Sequence, residues 1–199
     1  MPPSAPADDT SAKTTLNASH VTVILVAHGS TRRPDAAAAV CRHAENIRKR
    51  GIFADVDAAF LMGGRNADEA AATVKTDTVI LVPFMMTDGY LAGRAEGLLR
   101  DGLKAHGRTA TVRTSDAVGT HPGIASLAAD IGLKVLTERG LSAKAATLIT
   151  VAHGSLRYPY SHIAAKAQTD VITAENQFKV VRLALLEEPP HLDAVLAGT

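Results

Sequence analysis

The phrase "VAHGSTRRP" at Val26 to Pro34 returns as "VAHGSLRYP" at Val151 to Pro159. Seven of the nine positions are identical, and the two histidines, His28 and His153, stand 125 residues apart. No local constraint reaches that far. The phrase is either a structural connector used twice or the mark of a duplicated unit whose site uses a histidine. The same offset lays "VRLALL" (Val181 to Leu186) on "VDAAFL" (Val56 to Leu61) without a gap, and "HLDAVLAG" on "NADEAAAT". Each copy therefore predicts strand, His-Gly-Ser turn, helix, strand and short helix.

The elements themselves follow from periodicity. "VTVILVA" (Val21 to Ala27) is a continuous apolar run rich in β-branched residues, the pattern of a strand buried on both faces. Pro34 suits the first turn of a helix that reaches about Arg50, with Ala37, Val40, Cys41, Ala44 and Ile47 at helical spacing and Gly51 as its stop. "ADVDAAFL" and "TVILVPF" read as further strands, with "ADEAAATVK" a helix between them. "MMTDGYLAG" reads as a loop, Arg94 to Ala105 as a helix, "ATVRT" as a strand, and "VGTHPG" as the opening of a long helix ending near Gly140. Strands alternating with helices imply an open parallel α/β sheet flanked by helices. The counterparts of "TVILVPF", "TDGYL" and "GTHPG" do not follow the second copy, so the second half is expected to be incomplete. The expected organisation is a disordered tail over residues 1–20, a first α/β half over 21–140, and part of a second over 146–199.

Composition removes several classes of function. Net charge is +1 with no basic run, and aromatic residues are 4% with no Trp, so neither a phosphate backbone nor exposed bases have an evident binding surface. No nucleic-acid partner is expected. The single cysteine, Cys41, excludes an internal disulfide framework and suits a reducing cytoplasm. The first twenty residues lack the apolar core of a secretory signal, and no run approaches the roughly 18–20 apolar residues of a membrane span. A cytoplasmic protein without a membrane partner is expected.

In open α/β sheets ligands bind outside the carboxyl ends of the strands, where both His28 and His153 fall. The glycine after each histidine lets backbone approach a ligand, and the serine can cap the next helix or orient the ring. A tight strand-to-helix turn is the other reading of the same residues. In the second copy "LLEEPP" brings Glu187 or Glu188 to the end of the neighbouring strand, so imidazole and carboxylate would face one cleft as a metal or proton-transfer pair. In the first copy the position of Glu187 holds Met62. No nucleophile elbow, P-loop or dinucleotide fingerprint is present, since neither Ser30 nor Ser155 has glycine two residues before it and "GGRN" lacks the P-loop lysine. His43, His106, His162 and His191 read as solvated, and Met85 and Met86 as packing.

The ordered set "VTVILVAHGS-x-R-x-P", "VDAAFL", "VPFMMTDGYL", "VGTHPGI", a second "VAHGS" and "LLEEPP" resembles the sirohydrochlorin chelatases, the CbiX-type and SirB-type class II chelatases, from about Val21 to the end. The resemblance implies a chelatase-like fold of two α/β halves around a cleft. It implies insertion of a divalent metal, Co2+ or Fe2+, into a sirohydrochlorin-type tetrapyrrole in cobalamin or sirohaem biosynthesis, with the metal as substrate and no organic cofactor. The family uses a His at the first strand end, often a Glu at the second and a His in the loop after the third. Carried over, these are His28 and His153, then Glu187 in the second copy only, while the loop position after Gly89 holds Leu91. His153, Glu187 and His28 are thus the expected catalytic and metal-handling residues. Arg32, Arg157, Ser30, Ser155 and His121 are the expected substrate contacts, with solvated or capping roles as the alternative. A non-catalytic tetrapyrrole- or metal-binding protein, or a partner subunit of a chelatase, is the other function consistent with these residues. The open second half also leads to the expectation of weak activity alone and of association, a homodimer being one way to cover the edge.

Overall fold

The computed structural model describes residues 17–33 and 35–198. The expected tail lies outside the described residues as far as residue 16, and so does the helix-opening role of Pro34. Residues Ala18–His20 form one 3-10 turn, capped by Asn17, whose side chain accepts from the Ser19 N–H, and this turn runs directly into the first strand.

Four parallel strands make the first sheet: β1 (Val21–Gly29), β2 (Asp55–Met62), β3 (Thr78–Pro83) and β4 (Thr111–Thr114), in the order β2-β1-β3-β4. The continuous apolar run of β1 is explained by its two covered faces. Side chains alternate along a strand. Ile24 and Val26 therefore pack with α2 (Ala67–Thr73) and α3 (Tyr90–Ala105), whereas Val23, Leu25 and Ala27 pack with Val40 and Ala44 of α1 (Asp35–Arg48). α3 starts four residues before the expected Arg94. Ala92 is buried and extends the stripe of Ala95, Leu99 and Leu103, and a helix that gains an anchor there tolerates Gly93 at an open position.

After α4 (Gly123–Glu138), the second sheet pairs β5 (Thr147–Ala152) with β6 (Val180–Leu185), again in parallel, with α5 (Tyr160–Ala174) between them and α6 (Leu192–Ala197) after them. Its core joins Ala125 and Ala129 of α4, Ile172 of α5 and Phe178, with Leu148 and Val181 against them. α4 falls inside the segment expected for the first half, yet its small buried face belongs to this second core. Gly132 shows why the approach is close: a β-carbon there would stand 3.1 Å from Leu148 and 3.3 Å from Phe178.

The duplication extends to hydrogen-bond register. Val23 faces Val56 and Ala27 faces Phe60, while 125 residues on Leu148 faces Val181 and Ala152 faces Leu185. The loops after β2 and β6 close at the same place, with Phe60 N–H donating to Arg65 O and Leu185 N–H donating to Pro190 O, both at 2.8 Å. The parallel sheets flanked by helices are the fold class the sequence implied. No helix among the described residues is long and apolar enough to cross a membrane.

Candidate functional site

From β1 the chain moves to β2 on one side and then to β3 on the other, so the carboxyl ends of β1 and β3 flank a switch in winding direction, where open α/β sheets leave a crevice. A cleft of ≈ 470 Å3 occupies that place. His28 at the end of β1 and Phe84 to Leu91 after β3 form one side, and Ser155, Tyr158, Tyr160 and Ser161 from the second half form the other. A hollow of ≈ 340 Å3 adjoins it, lined by His153 at the end of β5 and by the inner faces of α4 and α5. Met86, Thr87 and Ser161 line both. The two histidine turns thus open onto adjoining cavities, His28 onto the cleft and His153 onto the hollow.

Each turn is built in the same way. Gly29 and Gly154 have φ of 71° and 74°, a left-handed conformation that glycine adopts without strain. Ser30 Oγ accepts from the Arg32 and Arg33 N–H groups, and Ser155 Oγ accepts from those of Arg157 and Tyr158. Both serines therefore hold the strand-to-helix turn. His28 Nδ1 lies 3.0 Å from Gly29 O, and His153 Nδ1 lies 3.0 Å from Gly154 O. A carbonyl oxygen only accepts, so Nδ1 donates in both cases and the neutral ring keeps its lone pair on Nε2. Both imidazoles are exposed and present a nitrogen suited to a metal ion or a proton.

The turns differ in their neighbours. Beside Gly29 runs Met62, and a β-carbon on Gly29 would stand 2.0 Å from Met62 O. Gly63 packs as tightly on Ser30 O, at 2.6 Å from its would-be β-carbon, so no side chain fits there. Beside Gly154 the corresponding residues are Glu187 and Glu188. The Glu187 N–H donates to His153 O at 2.9 Å, which fixes these two residues side by side. The Glu187 carboxylate is exposed. Glu188 instead turns inward: its Oε1 accepts from the Ser155 N–H at 2.8 Å and its Oε2 lies 3.4 Å from His162 Nδ1. Of the two glutamates, Glu188 is therefore the one that grips the turn. His162, read from sequence as solvated, is instead the ring against the Glu188 carboxylate; only its position in the first turn of α5 hinted at that.

Among the described residues no three His, Cys, Asp or Glu side chains converge on a point that could hold a metal ion. His153, Glu187 and His28 are accordingly not gathered into one three-ligand cluster. His121 lines neither the cleft nor the hollow; its Nδ1 accepts from the Gly123 N–H at 3.1 Å and its carbonyl accepts from Gln168. Arg32 and Arg157 are exposed beside their turns, and the Arg157 guanidinium lies 5.2 Å from the Tyr158 ring centre. Next to Arg32, Arg33 is engaged locally: its guanidinium contacts Asp35 at 3.2 Å and holds that carboxyl below the usual range.

The loop after β3 is braced from behind. Asp88 accepts from the Ala117 N–H at 2.6 Å, the Gly119 N–H donates to Met85 O at 2.8 Å, and Gln168 of α5 donates to Gly119 O at 2.9 Å. Through residues 117–119 these bonds link the loop to α5. Sequence reading did not find Tyr90, Tyr158, Tyr160 or Ser161 as wall residues, and it read Met85 and Met86 as packing alone. Met86 is 62% exposed where cleft and hollow meet.

A family model described as CbiX matches residues 22–131. Over 66 residues the chain is 33% identical to a probable sirohydrochlorin cobaltochelatase of Halobacterium salinarum, a match covering 33% of this chain and 23% of that protein. Among solved structures it resembles a multi-domain Deinococcus radiodurans protein with structural similarity to chelatases and two additional novel domains. There the TM-score is 0.70 at 22% identity, covering 87% of this chain and 40% of that one. It also resembles CbiX, the terminal enzyme for biosynthesis of siroheme in denitrifying bacteria, with a TM-score of 0.65 at 21% identity, covering 85% and 71%. The chain spans under half the length of the Halobacterium and Deinococcus proteins, and at these identities the two structures speak to the fold.

Proposed function

The chain belongs to the CbiX family, and from that premise we propose that it inserts a divalent metal, cobalt or iron, into a sirohydrochlorin-type tetrapyrrole held in the cleft between its halves. The observation that carries the reading is the pair of histidine turns with one tautomer and one geometry, opening on an adjoining cleft and hollow. Metallation exchanges two pyrrole protons for one divalent ion. It therefore asks for a weak metal ligand that can release its ion and for a base that can take the protons; imidazole Nε2, with its free lone pair, can do either.

His153 receives the metal in this reading, since the Glu187 backbone is bonded to His153 O and its exposed carboxylate can turn toward the ring to add a negatively charged oxygen. His28, beside Met62, faces the macrocycle from the opposite end and accepts a pyrrole proton. Arg32 and Arg157 meet the carboxylates of the substrate's rim. Ser30, Ser155 and Glu188 act indirectly, by holding the turns. No organic cofactor enters the scheme. A homodimer belongs to the same proposal: β5 has a strand neighbour only on its β6 side among the described residues, and Val151 at that strand is half exposed. Sedimentation velocity at micromolar concentration would show a dimer, and a strict monomer would remove that part.

A second reading, a tetrapyrrole-binding protein without insertion chemistry, draws on the lack of a three-ligand cluster among the described residues. Anaerobic mixing with sirohydrochlorin and Co2+ separates the two. Insertion predicts repeated turnover, seen as replacement of the metal-free absorption bands faster than in buffer. A binder gives a stoichiometric band shift and no acceleration.

A further inference from the structure

Three tyrosines and no tryptophan occur in the whole chain. All three, Tyr90, Tyr158 and Tyr160, line the single ≈ 470 Å3 cleft. They reach it from separate parts of the sequence, Tyr90 opening α3 in the first half and Tyr160 opening α5 in the second. None serves as core: Tyr90 is 69% exposed, Tyr158 44% and Tyr160 49%. Leaving an aromatic ring in water forgoes the burial that ordinarily stabilises it, so three such rings on one concave surface point to a ligand that completes the packing.

Two of the rings are also held in place. The Arg157 guanidinium lies 5.2 Å from the Tyr158 ring centre, a cation–π contact that steadies one face of that ring. Tyr160 leans on the loop after β3 at Gly89, where a β-carbon would come within 3.2 Å of its Cδ2. A side chain at residue 89 would push the ring away. The wall is therefore preorganised, which lowers the ordering cost of binding.

We propose that Tyr90, Tyr158 and Tyr160 form a stacking clamp that selects a flat, fully conjugated macrocycle over a reduced, puckered one. The inference rests on the tetrapyrrole reading above and deepens it, since stacking requires a planar π-face and a hexahydro macrocycle with saturated bridges has none. It assigns discrimination to the tyrosines and leaves the metal and proton chemistry to the histidines.

With no tryptophan present and every tyrosine in the cleft, intrinsic tyrosine emission reports this cleft alone. The test titrates the full chain with uroporphyrin, a planar octacarboxylate, and, under reducing anaerobic conditions, with uroporphyrinogen, its non-planar hexahydro form. Uroporphyrin is expected to quench the emission saturably, and uroporphyrinogen to bind ~10-fold more weakly. Binding followed by porphyrin absorption should weaken ~10-fold in the Tyr158→Leu/Tyr160→Leu double variant. The Tyr158→Phe/Tyr160→Phe variant, which keeps both rings, should remain within ~2-fold. Circular dichroism verifies that each variant is folded. Equal affinity for the two macrocycles, or unchanged affinity in the folded leucine variant, overturns the clamp while leaving the chelatase reading intact. If the wild-type chain binds neither uroporphyrin nor sirohydrochlorin, the functional reading falls and the clamp with it.

Discussion

The two histidine turns are copies in backbone and opposites in surroundings. Strand register, the glycine conformation, the serine bonds and the imidazole tautomer coincide at an offset of 125 residues. Beside the turns the copies differ where β2 and β6 end, with Met62-Gly63 against Glu187-Glu188, and within them where Arg33 stands against Tyr158. In the first turn the backbones of Gly29, Gly63, Met62 and Ser30 pack so closely that no side chain can enter. In the second, the Glu188 carboxylate occupies the gap, and Glu187, bonded through its backbone to His153 O, carries an exposed carboxylate that lines neither the cleft nor the hollow. The two turns thus share the geometry that presents an imidazole and differ in the charged groups around it.

The sharpest way to break that contrast is to crowd each turn with one methyl group. Gly29→Ala meets rigid backbone at Met62 O and also forces alanine into a left-handed conformation, which together should cost about 3 kcal/mol. Gly154→Ala meets the movable Glu188 side chain at 3.0 Å and should cost about 1–2 kcal/mol. Urea unfolding of both variants checks the order, and equal losses would mean the turns are equally tight.

Activity should separate the turns in the opposite sense. His153→Ala is expected to lower metal insertion about 100-fold and His28→Ala about 10-fold, measured as initial rates with sirohydrochlorin and Co2+. The neighbouring glutamates divide the same contrast further. Glu187→Gln should reduce insertion roughly 10-fold without changing stability, because its carboxylate is exposed. Glu188→Gln should cost about 1 kcal/mol of stability, because it weakens the bond from the Ser155 N–H, and should lower the rate only modestly. Melting curves paired with rate measurements on both variants decide which glutamate holds the turn and which serves the reaction.

Much of this was legible in the sequence, for physical reasons that differ by residue. The 125-residue offset located β6 and α6 because strand register and helix start are set by side-chain pattern, which the two copies share. The ends of β1 and β5, and so His28 and His153, were readable from where the apolar runs stop. The start of α3 was not, since Gly93 suggested a loop and only the burial of Ala92 shows why the helix tolerates it. The engagement of Glu188 with Ser155 and His162 was equally hidden, because adjacent glutamates look alike until a neighbouring turn offers one of them an N–H. The tyrosine wall was illegible for a simpler reason. Tyr90 is distant in sequence from Tyr158 and Tyr160, and only the approach of α5 to the loop after β3 brings them together.

Two turns of equal geometry are expected to bind metal unequally, because glutamates follow the neighbouring strand in only one of them. Adding paramagnetic Co2+ in small steps to protein labelled with 13C at its histidine rings measures this residue by residue, with assignments from single His→Ala variants. The His153 resonance is expected to broaden away first, with His28 persisting until His153 is saturated. Loss of His28 before His153, or of both together, would contradict that expectation.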